Sequence, residues 1–332
     1  MKVFDLHSDL FTDIAIRRSK GERRVFDRLH FPKLQKGKVD SVMCVIWVER
    51  EFREASLDRF TFIYEHVLAD LAESEHAVIC RTVQDMENTK DSEHIKVYLG
   101  LEGLTFMKEW HGASTEAKIS NALQELNRNG FHHAILAWNE HNFLASGTGA
   151  DNGYDPKGLS PFGLAAIGEM EQLNWLIDVS HMDETSFWDM ERHVGGTLIA
   201  SHSNARALCD HERNLTDEQL KAIARKQGLI GLNAHYEFID PQTPTLDRLV
   251  DHAVYIADLI GTEHLAFGFD FLDFLAPYET TVGSGGKTIG FESAFQVPDL
   301  LVRMEQRGFS RQEIERISFW NAYELLKRHM TK

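Results

Sequence analysis

The chain is poor in cysteine and in positive charge, and it has no long hydrophobic run. Its three cysteines, Cys44, Cys80 and Cys209, are scattered, and no two form a C-x-x-C pair. This excludes a disulfide framework and offers no thiolate zinc site. The 35 Lys and Arg stand against 51 Asp and Glu, a formal net charge of −16. So acidic a chain is a poor candidate for binding nucleic acid or an anionic membrane surface, and the excess is read as solubility. No stretch of 18 apolar residues occurs, so no membrane span is expected. The sequence enters FDLHSDLF (4–11) with no basic and apolar segment before it. A signal peptide is therefore not expected, and a cytoplasmic location is. In that setting the Asn214-Leu215-Thr216 sequon carries no weight.

What is present is a recurring unit. The 332 residues are 43% hydrophobic, enough to build a large core. Short apolar runs occur at 2–9, 39–48, 94–103, 132–139, 174–181, 196–203, 228–235 and 263–270. Helical patterns separate them, for example LDRFTFIYEHVLADLAES at 57–74. Near-continuous apolar strands alternating with helices predict a parallel sheet covered on both faces. Eight such units predict a closed (β/α)8 TIM barrel. Thr216 with Gln219, and Ser310 with Glu313, are capping-box pairs that start two of the helices, the first expected to end at Gly228. One domain over 1–332 is expected, with an insertion near 11–38 and a flexible loop near 271–290. That loop contains GSGGKT (283–288), but a phosphate loop needs glycine at 281, where Thr281 stands. A flap over the barrel mouth is the better reading.

The polar residues fall where barrel enzymes keep their chemistry, at the C-terminal ends of the strands. His7 and Asp9 are two apart, so on a strand they project to the same side. Later runs end with Glu102, His181, His202 and Asp270. Any one of these is ordinary at a strand end. Three imidazoles and three carboxylates at one mouth are costly to pack without a cation. Imidazole and carboxylate without thiolate suit zinc or a similar divalent ion. Five ligands suit two ions, with His7 and Asp9 on one, His181 and His202 on the other, and Glu102 between them. A water held between such ions would have a lowered pKa. Asp270 would then serve as general base and acid, which together describes metal-assisted hydrolysis.

The stretches DLHSDL, LGLEG, GLSPFG (158–163), LIDVSH, SHSNAR, ERNLTDEQL, GLIGLN and AFGFDF resemble the membrane (renal) dipeptidase family of zinc hydrolases, within the amidohydrolase superfamily. The resemblance runs from His7 to NAYELLKR near the C-terminus. It implies a metallohydrolase barrel with two zinc ions, liganded by His7, Asp9, Glu102, His181 and His202, with Glu102 as the bridge. It further implies Asp270 as general acid/base and Arg213 as the grip on the substrate carboxylate. A planar guanidinium suits that grip because it can hold a carboxylate at two points. The implied activity is dipeptide hydrolysis, often with a D-residue at the C-terminal position among bacterial relatives. Its partners are then small dipeptides, with a homodimer left open.

The chain departs from the animal members where they carry a histidine after strand four, since Trp138 stands there. Tryptophan donates one N–H and cannot carry a proton back and forth. His141, three residues on, is the candidate substitute, and a hydrophobic pocket wall is the other reading of Trp138. His235 and Tyr236 fall where substrate contacts are expected, while His132 and His133 are read as structural. Three alternatives stay open: an N-acyl-D-amino acid amidohydrolase on the same site, a metal-binding barrel with altered or lost catalysis, and a phosphoesterase. The mouth offers few basic residues for the last, Arg213 being the clearest.

Overall fold

The structure is a computed structural model that describes residues 1–110, 116–149, 157–275, 278 and 286–330. The parallel strands are β1 Val3–Ser8, β2 Val39–Trp47, β3 Ala77–Ile79, β4 Ile95–Glu102, β5 Phe131–Ile135, β6 Leu176–Asp178, β7 Leu198–Ile199, β8 Ile230–Leu232 and β9 Leu265–Phe267. Their order is β7-β6-β5-β4-β2-β1-β9-β8. A parallel bridge between Ala200 and Ile230 brings β7 back to β8, so eight strands make the (β/α)8 barrel. They coincide with the eight apolar runs.

β3 is additional. It pairs with Ile95, Lys96 and Val97 at the start of β4, and β5 takes over that edge from Leu99 onward. Three partly buried residues, AVI, are too short a run to stand out in the sequence. Elsewhere the strands are shorter than the runs. β6, β7, β8 and β9 stop at Asp178, Ile199, Leu232 and Phe267, three to four residues before the predicted ends.

The capping signals hold. Thr216 and Gln219 bond reciprocally ahead of helix Asp217–Arg225, as do Ser310 and Glu313 ahead of Arg311–Glu315. The first of these helices ends before Gly228, with Gln227 taking the left-handed conformation at φ 56°. The insertion expected near 11–38 is largely helical. It comprises helix Leu10–Ser19, a π-helical turn Phe26–His30 and helix Phe31–Lys36. Two buried carboxylates hold it. Asp13 accepts from His30 Nε2 at 2.9 Å and Arg17 Nε at 2.8 Å, and Asp70 accepts from the backbone of Val25 and Phe26 at 3.0 and 2.9 Å. Of the flap expected near 271–290, residues 276, 277 and 279–285, with the first half of GSGGKT, lie outside the described residues. In the described part, Thr288 Oγ1, at the end of GSGGKT, donates to the Ala234 carbonyl at 2.6 Å.

One large apolar core lies between strands and helices. A second cluster joins Phe4, Leu6, Met43 and Tyr98 to Phe319, Tyr323 and Leu326 of the C-terminal segment. Phe4 stacks on Tyr98 with ring centroids 5.2 Å apart. Each fully buried aromatic of this kind contributes about 1.5–3 kcal/mol of hydrophobic stabilisation. The apolar plug leaves the polar side chains to the opposite end, where the strands' C-termini open. Among the described residues no helix is long and apolar enough to cross a membrane.

Candidate metal centre

The six carboxylate and imidazole residues singled out in the sequence converge, though not all from strand ends. His7 lies within β1 and Glu102 is the last residue of β4. Asp9 is not on the strand. It sits at the N-cap of helix Leu10–Ser19 yet makes no capping hydrogen bond. An N-cap aspartate ordinarily contributes about 0.5–2 kcal/mol by bonding the first turn. Here the carboxylate instead turns to His7, with Oδ2 3.6 Å from Nε2. His181, His202 and Asp270 lie three residues past β6, β7 and β9. His181 and Asp270 adopt positive φ, 68° and 57°. Such backbone costs of order 1–3 kcal/mol for a non-glycine residue and persists only where its surroundings hold it.

His7 is buried, and both its ring nitrogens lack a hydrogen-bond partner among the described residues. So does Asp9 Oδ1. His7 Nε2 faces Asp9 Oδ2, Glu102 Oε2 at 3.7 Å and Asp270 Oδ1 at 4.0 Å, distances too long for hydrogen bonds. On the other side, Glu102 Oε1 lies 2.7 Å from His181 Nε2 and 3.6 Å from His202 Nε2. The two Nε2 atoms are themselves 2.8 Å apart.

The proton inventory of this cluster is short. His181 Nδ1 donates to Asn139 Oδ1 at 2.6 Å, an assignment that follows from the amide oxygen being an acceptor. That leaves Nε2 of a neutral His181 as a lone pair aimed at a carboxylate oxygen and at a second imidazole. Burial drops His181 and His202 well below the usual histidine value, and the charges of Arg213 and His7 add to the effect. Burial raises Glu102 well above the usual carboxylate range; His7 opposes this, while Asp9 and Asp270 add to it. At His7 burial opposes protonation, but the charges of Glu102, Asp9 and Asp270 prevail and lift it to about 10. Acceptors gathered this densely call for positive charge at their centre. Two triads have ligand atoms close enough to share a cation: His7, Glu102 and His202, and His7, Asp9 and Asp270. The donor set therefore fits a divalent metal.

Above the cluster opens a cavity of about 260 Å³, whose walls include Glu102, Asp270, Trp138, His235, Phe238 and Leu275. The indole of Trp138 lies 5.3 Å from that of Trp47 and 5.8 Å from the His181 ring, so it is a wall of the pocket. His141 is exposed and bonds Ser146 Oγ at 3.4 Å, and it does not line the cavity. It is not the substitute considered for the missing histidine. Arg213 is buried against the cluster, its guanidinium 5.5 Å from the Phe238 ring and its Nη2 donating to the His202 carbonyl at 3.4 Å. Burial lowers it to about 10, opposed by Asp270 and Glu102. His133 is buried and bonds Asp178 Oδ2, and His132 bonds the Arg81 carbonyl, both structural as expected.

Two residues of the site carried no signal of their own in the sequence. Asn139 fixes the His181 tautomer, and Asn233 donates to Asp270 Oδ2 at 3.2 Å. Trp47, at the end of β2 and beside Glu102 in register, was also missed as a pocket wall. A close backbone approach completes the geometry. The Ser201 carbonyl, just before His202, lies 1.7 Å from where a Cβ on Gly268 would stand and 1.8 Å from one on Gly231. Gly268→Ala is therefore expected to push the His202 segment away, lowering metal content and costing about 1–3 kcal/mol of stability. Metal analysis with thermal unfolding checks this, and unchanged values would show that the approach is not required.

A parallel barrel whose mouth gathers imidazole and carboxylate around an acceptor-rich centre defines a metal-dependent hydrolase. The chain belongs to the membrane dipeptidase family, peptidase family M19, which it matches over residues 1–331. It is thus a metallo-dipeptidase by family. An uncharacterized protein from the pqqA 5′ region of Klebsiella pneumoniae is 30% identical over 258 residues, 75% of this chain and 88% of that protein. An uncharacterized dipeptidase of Schizosaccharomyces pombe is 30% identical over 240 residues, 70% of this chain and 53% of its own length, so the match spans about half of that relative. The fold is that of a Rhodobacter sphaeroides metallopeptidase solved with a phosphinate mimic of L-Ala-D-Ala, at a TM-score of 0.84, 20% identity and 99% coverage of both chains. A second solved dipeptidase also gives 0.84, at 21% identity, covering 100% of this chain and 99% of the other.

Proposed function

We propose that the chain is a two-zinc dipeptidase whose substrates include dipeptides with a C-terminal D-residue. One observation carries the reading. Glu102 divides its carboxylate, with Oε2 toward His7 and Oε1 toward His181 and His202. A buried carboxylate split between two sets of nitrogen donors is suited to bridging two cations. His7 and Asp9 would hold one ion, and His181 and His202 the other. When bound, the ions supply an activated water and a Lewis acid for the scissile carbonyl.

The chain's own residues do the rest. Asp270 takes the proton from the attacking water and returns it to the leaving amine nitrogen. Asn233 holds Asp270 Oδ2, leaving Oδ1 on the His7 side. Arg213 receives the substrate's C-terminal carboxylate, and its buried Nε, which has no hydrogen-bond partner among the described residues, supports that role. Trp138 and His235 both line the cavity and would contact the substrate, Trp138 as an apolar wall. The D-residue preference is motivated by the L-Ala-D-Ala mimic bound in the Rhodobacter fold neighbour.

The test is a substrate panel of L-Xaa-D-Ala, L-Xaa-L-Ala and N-acetyl-D-amino acids with metal-loaded and chelated protein. Metal-dependent cleavage of the D-Ala dipeptides is expected. Cleavage of the N-acyl compounds alone would instead make the chain an N-acyl-D-amino acid amidohydrolase, and no cleavage with metal bound would make it a barrel of altered chemistry. In the same assay Arg213→Ala is expected to raise KM by about 10–100-fold for substrates with a free carboxylate. An equal loss on C-terminally amidated substrates would remove the carboxylate grip.

A further inference from the structure

The strand ladder ends before the ligands begin. β6 has three residues, β7 two and β9 three, so His181, His202 and Asp270 stand past the strand ends, with only isolated backbone bonds such as Asp270 N–H to the His7 carbonyl at 3.3 Å. Two buried aspartates take over there. Asp178 Oδ1 accepts the backbone N–H of Ser180 at 2.8 Å and of Ser201 at 3.1 Å. Ser180 immediately precedes His181, and Ser201 immediately precedes His202. Asp5 Oδ1 accepts the backbone N–H of His7 at 3.3 Å and of Phe269 at 2.8 Å. Phe269 immediately precedes Asp270.

The two arrangements are the same device. In each, one carboxylate oxygen takes the N–H two residues along its own chain and the N–H just before a site residue on the neighbouring strand. The strands so joined are partners in the sheet, β6 with β7 and β1 with β9. Among the described residues, neither aspartate belongs to a group able to share a cation. Asp178 is held in turn by His133, whose Nε2 lies 2.8 Å from Oδ2.

We propose that Asp5 and Asp178 are positioning residues that set the two halves of the metal centre separately. Asp178 registers His181 against His202, and Asp5 registers His7 against Asp270. This rests on the two-ion reading above. It predicts that loosening one clamp weakens one ion and spares the other, because each clamp spans only the strands that carry one half. An acceptor oxygen, not a charge, is what the clamp requires. Asparagine should therefore serve in place of Asp178, with His133 moving its ring proton to Nδ1 so that Nε2 accepts from the new amide.

The experiment measures stepwise zinc affinity by chelator competition in the full chain, with the occupied position identified by anomalous diffraction at the zinc edge. Asp178→Ala is expected to weaken the ion at His181 and His202 by about 10–100-fold, the usual loss when a group supporting a metal ligand is removed, and to leave the ion at His7 and Asp9 unchanged. Asp5→Ala is expected to do the reverse, and Asp178→Asn to restore most of the lost affinity. Where an alanine variant fails to fold, Asp178→Glu is read in the same way, since it keeps the charge and moves the acceptor by one carbon. Equal weakening of both ions, or of neither, overturns the proposal. Wild-type protein that binds a single ion overturns the two-ion reading itself and is distinguished before any variant is made.

Discussion

Glu102→Gln is expected to lose bound zinc and to lower kcat/KM by at least about 10³-fold. The side chain is 3% exposed, and each carboxylate oxygen faces a different set of nitrogens. Glutamine keeps the volume but turns one oxygen into an N–H donor and removes the negative charge. Whichever way the amide sits, one half of the cluster then meets a donor where a cation would need an acceptor. The buried carboxylate is also the charge that most raises His7, so its loss unbalances the first half as well. Metal analysis beside steady-state kinetics reads both effects. Full metal content with unchanged turnover would show that Glu102 is not between the ions.

Asp270→Asn is expected to keep zinc but lower kcat by about 10²–10⁴-fold, the usual worth of a positioned acid-base group. Burial lifts the Asp270 carboxyl to about 7, with Asp9 adding to the rise and His7, Arg213 and Asn233 opposing it. The base must be ionised, so the rate rises as pH climbs through this pKa and falls below it. Bound cations favour the ionised form and draw the value down. The acid limb of kcat/KM should thus lie below pH 7 in the loaded enzyme and vanish in the asparagine variant. A variant that turns over at the full rate would remove Asp270 from proton transfer. One that loses zinc would make it a ligand, which its place beside His7 and Asp9 allows.

The barrel was legible because its signal is local. Each of the eight barrel strands lies in a short, buried, largely apolar run, and each of two helices announces its start within four residues through Thr216 or Ser310. The clustered histidines and carboxylates were legible as residue types that do not belong in apolar runs. Their exact footing was not. Runs such as LIDVSH read as one strand, but the chain leaves the ladder at Asp178 and carries His181 on a positive-φ turn. Asp9 read as the second strand residue and is a helix N-cap turned away from capping. The clamps were invisible for a related reason. Asp5 and Phe269 meet across 264 residues of sequence, and a bond from a carboxylate to a distant backbone N–H leaves no spacing to read. Asn139 and Asn233 escaped in the same way, since their meaning lies in the imidazole and carboxylate that the fold brings to them.

The most direct test of the central claim is a remetallation titration of chelated protein, following hydrolysis of L-Ala-D-Ala against zinc added per chain. The account predicts no hydrolysis in metal-free protein and full rate at two equivalents, with both ions at the mouth. Full hydrolysis without metal, or a rate complete at one equivalent, would contradict it.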